Sequence, residues 1–327
     1  MVYRRLGSSG LQVSALGLGG WHTFGSQVEN ATTLACMEQG HDCGINYFDT
    51  AEIAAGGQSE VAMGRVIRML GWNRNDIVIS TKLNWGGPIN YGLSRKHIIE
   101  GLRASLKRLD LRYVDIIYAH RPDRLISMEE VVRAFNYVIE TKGWAVYWGT
   151  SEWRADEIAE ACGIAKQLGL IAPVVHAEQP FCNILNRKRV GGQFQRPYSR
   201  FGLGLTTYGP LKSGLLGGKY NDFPDAPAPV IRFANSDDEF DSYMTDNYGN
   251  KAWREDSEKI WKLMAVADKI GIPHSELTLA WALKKPNVSS IITGASKPEQ
   301  VRANVNALRS LDRLTPAIMA EIDEIVG

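Results

Sequence analysis

Only four cysteines occur in 327 residues, Cys36, Cys43, Cys162 and Cys182, with no CxxC pair and no metal-ligand spacing. That excludes a disulfide scaffold and a zinc module, and points to reduced thiols in a cytoplasmic protein. Charge of one sign is also missing. The 37 Lys and Arg balance 36 Asp and Glu, for a net charge of +1, with no basic block. Neither nucleic acid nor an anionic membrane surface is therefore expected as the main partner. No stretch approaches the ~18 apolar residues of a membrane-spanning helix, so membrane insertion is not expected. The opening MVYRRLGSSGL lacks the apolar core of a secretory leader. What remains is a 44% hydrophobic, 22% charged chain, the profile of a globular protein with a large core.

Strand-like and helix-like segments alternate along the whole length. YRRLGSSGLQVSAL forms a hairpin turning on Ser8-Ser9-Gly10, followed by the strand ALGLGGW. Further strands are INYFDT, IVISTK, VDIIYAH, AVYWGTS, VVHAEQ, LGLTTYGPL and VSSIITGAS. Helices are predicted over 31–43, 59–70, 94–109, 128–140, 155–168, 254–270, 298–308 and 316–326. Ser94 is a plausible cap, and Ile98, Leu102, Leu106 and Leu109 fall on one stripe. A Gly/Pro/Asp-rich stretch from Pro210 to about Lys251 is too polar and broken for core. Eight strands alternating with helices, and no linker, predict an α/β fold. It is a (β/α)8 TIM barrel with an N-terminal β-hairpin, a long loop after strand 7 and a C-terminal helix, one domain over 1–327. The glycines Gly17, Gly19 and Gly20 superficially suggest a dinucleotide-binding turn, but Trp21-His22 follows and the helix-opening glycine is absent.

Asp49, Lys82 and His120 each close an apolar strand, 33 and 38 residues apart. In a β/α barrel the strand C-termini share one mouth, so an acid, an ammonium and an imidazole can meet there. That combination suits acid–base chemistry. A buried, unpaired ammonium is costly, so Lys82 at a strand end is hard to explain by structure alone. Trp21, Phe24 and Trp85 are candidates either for substrate contacts at the mouth or for packing.

LGLGGW, FDTAE, STK, HRPD, GTSEW, EQ, YGPLKSGLLGGKY and TGASKPEQVRAN follow in an order that resembles the aldo-keto reductases. The resemblance runs from Tyr3 to about Leu308. It is strongest to the branch of voltage-gated potassium channel β subunits and their fungal, plant and bacterial relatives. It implies an NADPH-dependent barrel that reduces aldehydes and ketones with an Asp, Tyr, Lys and His tetrad. Asp49, Lys82 and His120 match three places. The fourth, a Tyr five residues after the Asp in DTAExY, is Ala54 here. In the family that phenol protonates the carbonyl oxygen, so activity is expected to be crippled. With the other three places intact, a reductase changed at one position is favoured over a drifted binding protein.

The same resemblance implies the NADP(H) contacts. Tyr208 stacks on nicotinamide, while Ser151 and Gln179 hydrogen-bond the carboxamide, with Glu152 beside them where the family varies. Gly20, Trp21, Gln27 and Asp49 border the same site. Leu211, Lys212, Ser213 and Lys219 resemble the pyrophosphate strap, with Gly209 and Pro210 also at the cofactor, and Arg232 of the long loop is expected to reach the phosphates too. Gly294, Ser296, Lys297, Gln300 and Asn304 hold the adenosine end, with Ser296 and Lys297 at a helix start suited to a 2′-phosphate. Trp21, Phe24, Trp85 and His120 would meet a small-molecule carbonyl substrate. A homo-oligomer is expected by analogy with the branch. The alternative is an NADP-binding regulatory β-like subunit of a potassium channel, although the chain starts at the hairpin with no inactivating extension.

Overall fold

The computed structural model describes residues 1–21, 23–25, 30–87, 91–172, 177–218 and 250–327. Two short antiparallel strands, β1 (Tyr3–Arg5) and β2 (Gln12–Ser14), form the predicted hairpin. Eight parallel strands then close into a barrel. They are β3 (Leu16–Gly19), β4 (Tyr47–Asp49), β5 (Val78–Leu83), β6 (Val114–Ala119), β7 (Ala145–Ser151), β8 (Glu178–Gln179), β9 (Leu205–Tyr208) and β10 (Val288–Thr293). They pair in chain order, and β10 closes the ring against β3. The fold class expected from the sequence is the one observed.

Helices fill the connections: α1 (Asn30–Asp42), α2 (Gln58–Leu70), α3 (Arg95–Leu109), α4 (Met128–Asn136), α5 (Ala155–Leu168) and α6 (Gln195–Phe201), then α7 (Lys251–Ile270), α8 (His274–Leu283), α9 (Pro298–Asn306) and α10 (Pro316–Val326). Local chemistry fixes several ends. Ser94 accepts the His97 N–H at the start of α3, and Asn250 accepts the Trp253 N–H at the start of α7. The α3 stripe of Ile98, Leu102, Leu106 and Leu109 is buried.

Three elements depart from the sequence reading. The helix expected over 128–140 stops at Asn136 and continues as a wider π turn over Tyr137–Thr141. Helix α8 carries no sequence signal because Leu277 to Leu283 are buried on every face, leaving no amphipathic stripe to detect. Helix α6 is two turns long, too short for a periodic pattern. The long stretch expected after β9 falls mostly at 219–249, outside the described residues.

Burial divides into two compartments. The larger core lies between the strands and the helices, with Trp148, Phe135 and Trp281 among its largest buried side chains. The smaller lies inside the barrel, where Leu6 and Val13 of the hairpin pack with Tyr47, Ile116 and Tyr118. The hairpin therefore covers one end of the barrel and leaves the strand C-termini as its mouth.

Candidate active site

Strands β4 and β5 and the residue after β6 bring the three polar residues together. Register pairs Asp49 with Ser80 and Lys82 with Tyr118, so the strand ends are adjacent. Asp49 is 4% exposed, Lys82 2%, His120 3% and Ala54 3%. The Lys82 ammonium donates to Asp49 Oδ2 at 2.5 Å and to the Thr50 carbonyl at 2.7 Å. An ammonium has three N–H donors, and the third has no partner among the described residues. Burial, ahead of the compensating Asp49 charge, holds the Lys82 pKa below its ordinary value.

Asp49 is held from both sides. Its Oδ1 accepts the Ser80 hydroxyl at 2.5 Å and the Gln179 side-chain N–H at 3.2 Å. Below it a polar column runs into the barrel. The Ser80 hydroxyl lies 3.1 Å from that of Tyr47, which meets the Tyr118 hydroxyl at 3.2 Å, and Tyr118 reaches Thr206 Oγ1 at 2.9 Å. Both phenols are fully buried, and desolvation first raises their pKa values. They stay neutral and serve as dipoles under the site.

His120 is neutral at ordinary pH. Burial, then the Lys82 and Arg121 charges, pushes its pKa well below the usual histidine value. Its Nδ1 is buried and without a hydrogen-bond partner among the described residues. Trp21 and Trp85 meet the imidazole edge-on, with centroid separations of 5.2 and 6.4 Å. Those two tryptophans are half-buried and wall the mouth. Phe24 is not a wall: the ring is fully buried in the core, where the Phe24 N–H bonds back to the Gly20 carbonyl at 3.1 Å.

Ala54 opens a tight turn rather than a regular helix. Ala55, Gly56 and Gly57 follow it at φ 50°, 59° and 87°, all left-handed. At Gly57 the restriction is steric as well, since an added Cβ would lie 2.9 Å from the Arg108 side chain. The turn leads from the β4 end directly into α2, with the Ala54 N–H bonded to the Ala51 carbonyl at 3.1 Å and the side chain buried.

The expected cofactor residues fall in three groups. Ser151 donates to the Gln179 carbonyl at 2.9 Å, and both are buried. Glu152 stands at φ 63°, accepts the Phe181 N–H at 2.5 Å and pairs with Arg189. Tyr208 is half-buried, and desolvation followed by the Glu152 charge raises its pKa. Gly209 turns the chain at φ 69°, where a Cβ would lie 2.3 Å from the Phe181 ring. Past Pro210 and Leu211, Lys212 and Ser213 stand in the left-handed region at φ 45° and 55°. Lys212 is ion-paired with Asp256 of α7. At the β10 end, Gly294 is exposed and Ser296 donates through both N–H and hydroxyl to Gln300 Oε1, at 2.8 and 3.2 Å. Lys297 is exposed just before Pro298 opens α9, and Asn304 is buried in that helix. Gly20 donates its N–H to the Asp49 carbonyl at 2.9 Å, joining the β3 end to the same rim. Gln27, Lys219 and Arg232 lie outside the described residues.

Several residues that matter here were not singled out from sequence. Tyr47, Ser80 and Tyr118 sit two positions before Asp49, Lys82 and His120, on the same inward strand face. The two-residue period was the available signal. Glu52 accepts the N–H groups of Asn84 and Trp85 and lies 3.0 Å from His97 Nε2. Arg121 donates to the His120 carbonyl at 2.6 Å and lowers the pKa values of Lys82 and His120.

The chain is similar to known proteins over nearly its whole length. A probable voltage-gated potassium channel subunit beta from Arabidopsis thaliana is 46% identical over 329 residues, covering 100% of this chain and 97% of that protein. A protein of the same description from Oryza sativa subsp. japonica is likewise 46% identical, with the same coverage. A putative voltage-gated potassium channel subunit beta from Schizosaccharomyces pombe is 47% identical over 333 residues, covering 99% of this chain and 93% of its own. The profile of the aldo/keto reductase family matches residues 15–326. With that match over almost its whole length and a closed eight-stranded barrel, the chain belongs to the aldo/keto reductase family.

Proposed function

We propose that this chain binds NADPH and is an aldehyde or ketone reductase lacking its proton-donating phenol at Ala54. The observation that carries the reading is the buried Lys82 ammonium, held by Asp49 and Thr50 with one N–H unanswered. In this reading a phenol at position 54 would take that donor, and its pKa would fall beside the ammonium.

The residues present fit the cofactor. A half-buried aromatic face at Tyr208, polar side chains at Ser151 and Gln179, and an exposed Lys297 at a helix start match a ring, a carboxamide and a phosphate. When bound, the dihydronicotinamide supplies hydride to the carbonyl carbon. The chain's own part is to orient and polarise. Neutral His120 can donate one N–H to the carbonyl oxygen, and Trp21 and Trp85 exclude water around it. Asp49 keeps Lys82 charged and in place despite its burial. Without a phenol the oxygen must take its proton from a poorer donor, so turnover is expected to be slow. The family resemblance also favours a homo-oligomer of single-domain chains, which light scattering would detect.

A second reading rests on the relatives described as potassium channel β subunits and on Ala54 itself. A regulatory subunit binds NADP and a channel without needing turnover. Both readings require cofactor binding. Titration with NADPH, followed by quenching of tryptophan fluorescence, tests them together. Oxidation of NADPH against a panel of aromatic and aliphatic carbonyls separates them. No quenching at all would overturn both.

A further inference from the structure

Away from the barrel mouth, a cavity of about 730 Å³ lies between α6, the end of α8, the C-terminus of α10 and the loop around 185–192. That volume is in the range of small-molecule sites. Its charged side chains are mostly cationic. Arg187, Lys188, Lys259 and Lys285 line it, and Asp323 is the one acidic side chain among the described lining residues. Two of the cations are already answered. Arg187 pairs with Asp323 and also reaches the Asp323 and Gly327 carbonyls, at 3.3 and 3.2 Å. Lys259 donates to the Val326 carbonyl at 3.0 Å. Both therefore serve the end of α10, where carbonyl groups lack helical partners.

Lys188 and Lys285 are left without an ion pair among the described residues. Lys188 is exposed. Lys285 is half-buried, with its ammonium 4.4 Å from the centroid of the Trp281 ring. Burial outweighs the nearby Asp323 charge and lowers its pKa. Trp281 lines the same cavity, is 0% exposed, and its Nε1–H has no acceptor among the described residues. A buried indole N–H ordinarily finds one. Val190 and Tyr198 add apolar wall beside these groups.

We propose that this cavity binds a small phosphorylated molecule, its phosphomonoester dianion balanced by Lys188 and Lys285 and its body lying against Tyr198 and Val190. Two ammonium groups can balance both charges of a phosphomonoester, whereas a carboxylate ligand carries only one. None of its lining residues belongs to the mouth, so the proposal predicts binding independent of the cofactor.

Calorimetric titration of the full chain with phenyl phosphate, with and without saturating NADPH, tests this. Binding is expected in both conditions, and Lys285→Gln or Lys188→Gln should each raise Kd at least about tenfold. Lys188 is exposed, so its variant keeps the test valid if Lys285→Gln disturbs folding. Absence of binding, or unchanged Kd in both variants, would overturn the proposal. Benzoate binding as tightly as phenyl phosphate would overturn the assignment to a phosphate.

Discussion

Glu52 and Trp85 are joined by a 2.7 Å hydrogen bond from the tryptophan backbone N–H to the buried carboxylate Oε1. The same oxygen accepts the Asn84 N–H at 2.6 Å and lies 3.0 Å from His97 Nε2. Three residues after Asp49, one carboxylate therefore ties the turn bearing Ala54 to the loop that presents Trp85 beside His120. The wall of the mouth is set from beneath by a residue that need not touch substrate.

Glu52→Ala should destabilise the chain, because the buried Asn84 N–H and the part-buried Trp85 N–H lose their acceptor. The cost is on the order of 3 kcal/mol, since each unsatisfied donor costs about 1–3 kcal/mol. Glu52→Gln keeps an acceptor oxygen and should cost clearly less. Urea unfolding midpoints of the two variants check this, and equal losses would show that the carboxylate is not what secures the loop.

Asp49, Lys82 and His120 were legible because strand-end polar residues at barrel spacing stand out against apolar runs. Their supports were harder to see. Tyr47 and Tyr118 look like ordinary β-formers until closure of the barrel turns them inward. Glu52 reads as a helix-entry acid until the fold brings Asn84 and Trp85 to it. Phe24 was ambiguous for the opposite reason: an aromatic near the mouth can line it or pack beneath it, and the Gly20 turn decides. Helix α8 leaves no amphipathic signal in the sequence, because periodicity vanishes when every face is buried.

Cofactor preference should depend on Lys297. Its exposed ammonium stands at the start of α9, beside Ser296, where an anion would be favoured. The chain is expected to bind NADPH more tightly than NADH, and Lys297→Ala should reduce that gap while sparing NADH. Fluorescence titrations with both cofactors measure it. Equal dissociation constants in the parent chain would remove 2′-phosphate recognition from the reading.

Glu178 should make stability fall as pH rises. It is fully buried, and desolvation pushes its pKa up to about 8 despite the bonds from Thr150 and the Trp153 N–H. Between the ordinary carboxylate range and about pH 8, the unfolded chain releases this proton while the folded chain keeps it. The folded state then binds more protons, so this group's contribution is complete at low pH and is lost through that window, at up to about 1.4 kcal/mol per pH unit. Glu178→Gln imitates the protonated acid and should remove the dependence. Unfolding midpoints of both proteins from pH 5 to 9 should diverge, with the variant gaining on the parent; parallel curves would contradict the assignment.

Ala54→Tyr should raise carbonyl reduction by at least about 10²-fold, the lower end of what general acid catalysis supplies. The site is prepared for the change. Lys82 has an unanswered N–H, Asp49 is fixed by Ser80 and Gln179, and neutral His120 stands beside them. A restored phenol acts on the chemical step, so kcat should rise while NADPH affinity changes little. His120 is the donor left in the parent chain, and His120→Ala should abolish its residual turnover. Loss of reduced-nicotinamide absorbance against aromatic and aliphatic aldehydes and ketones gives the rates. A variant that binds NADPH yet reduces none of them would mean that the missing phenol is not what silences the chain. The regulatory reading would then account better for an intact cofactor site beside a mouth that turns nothing over.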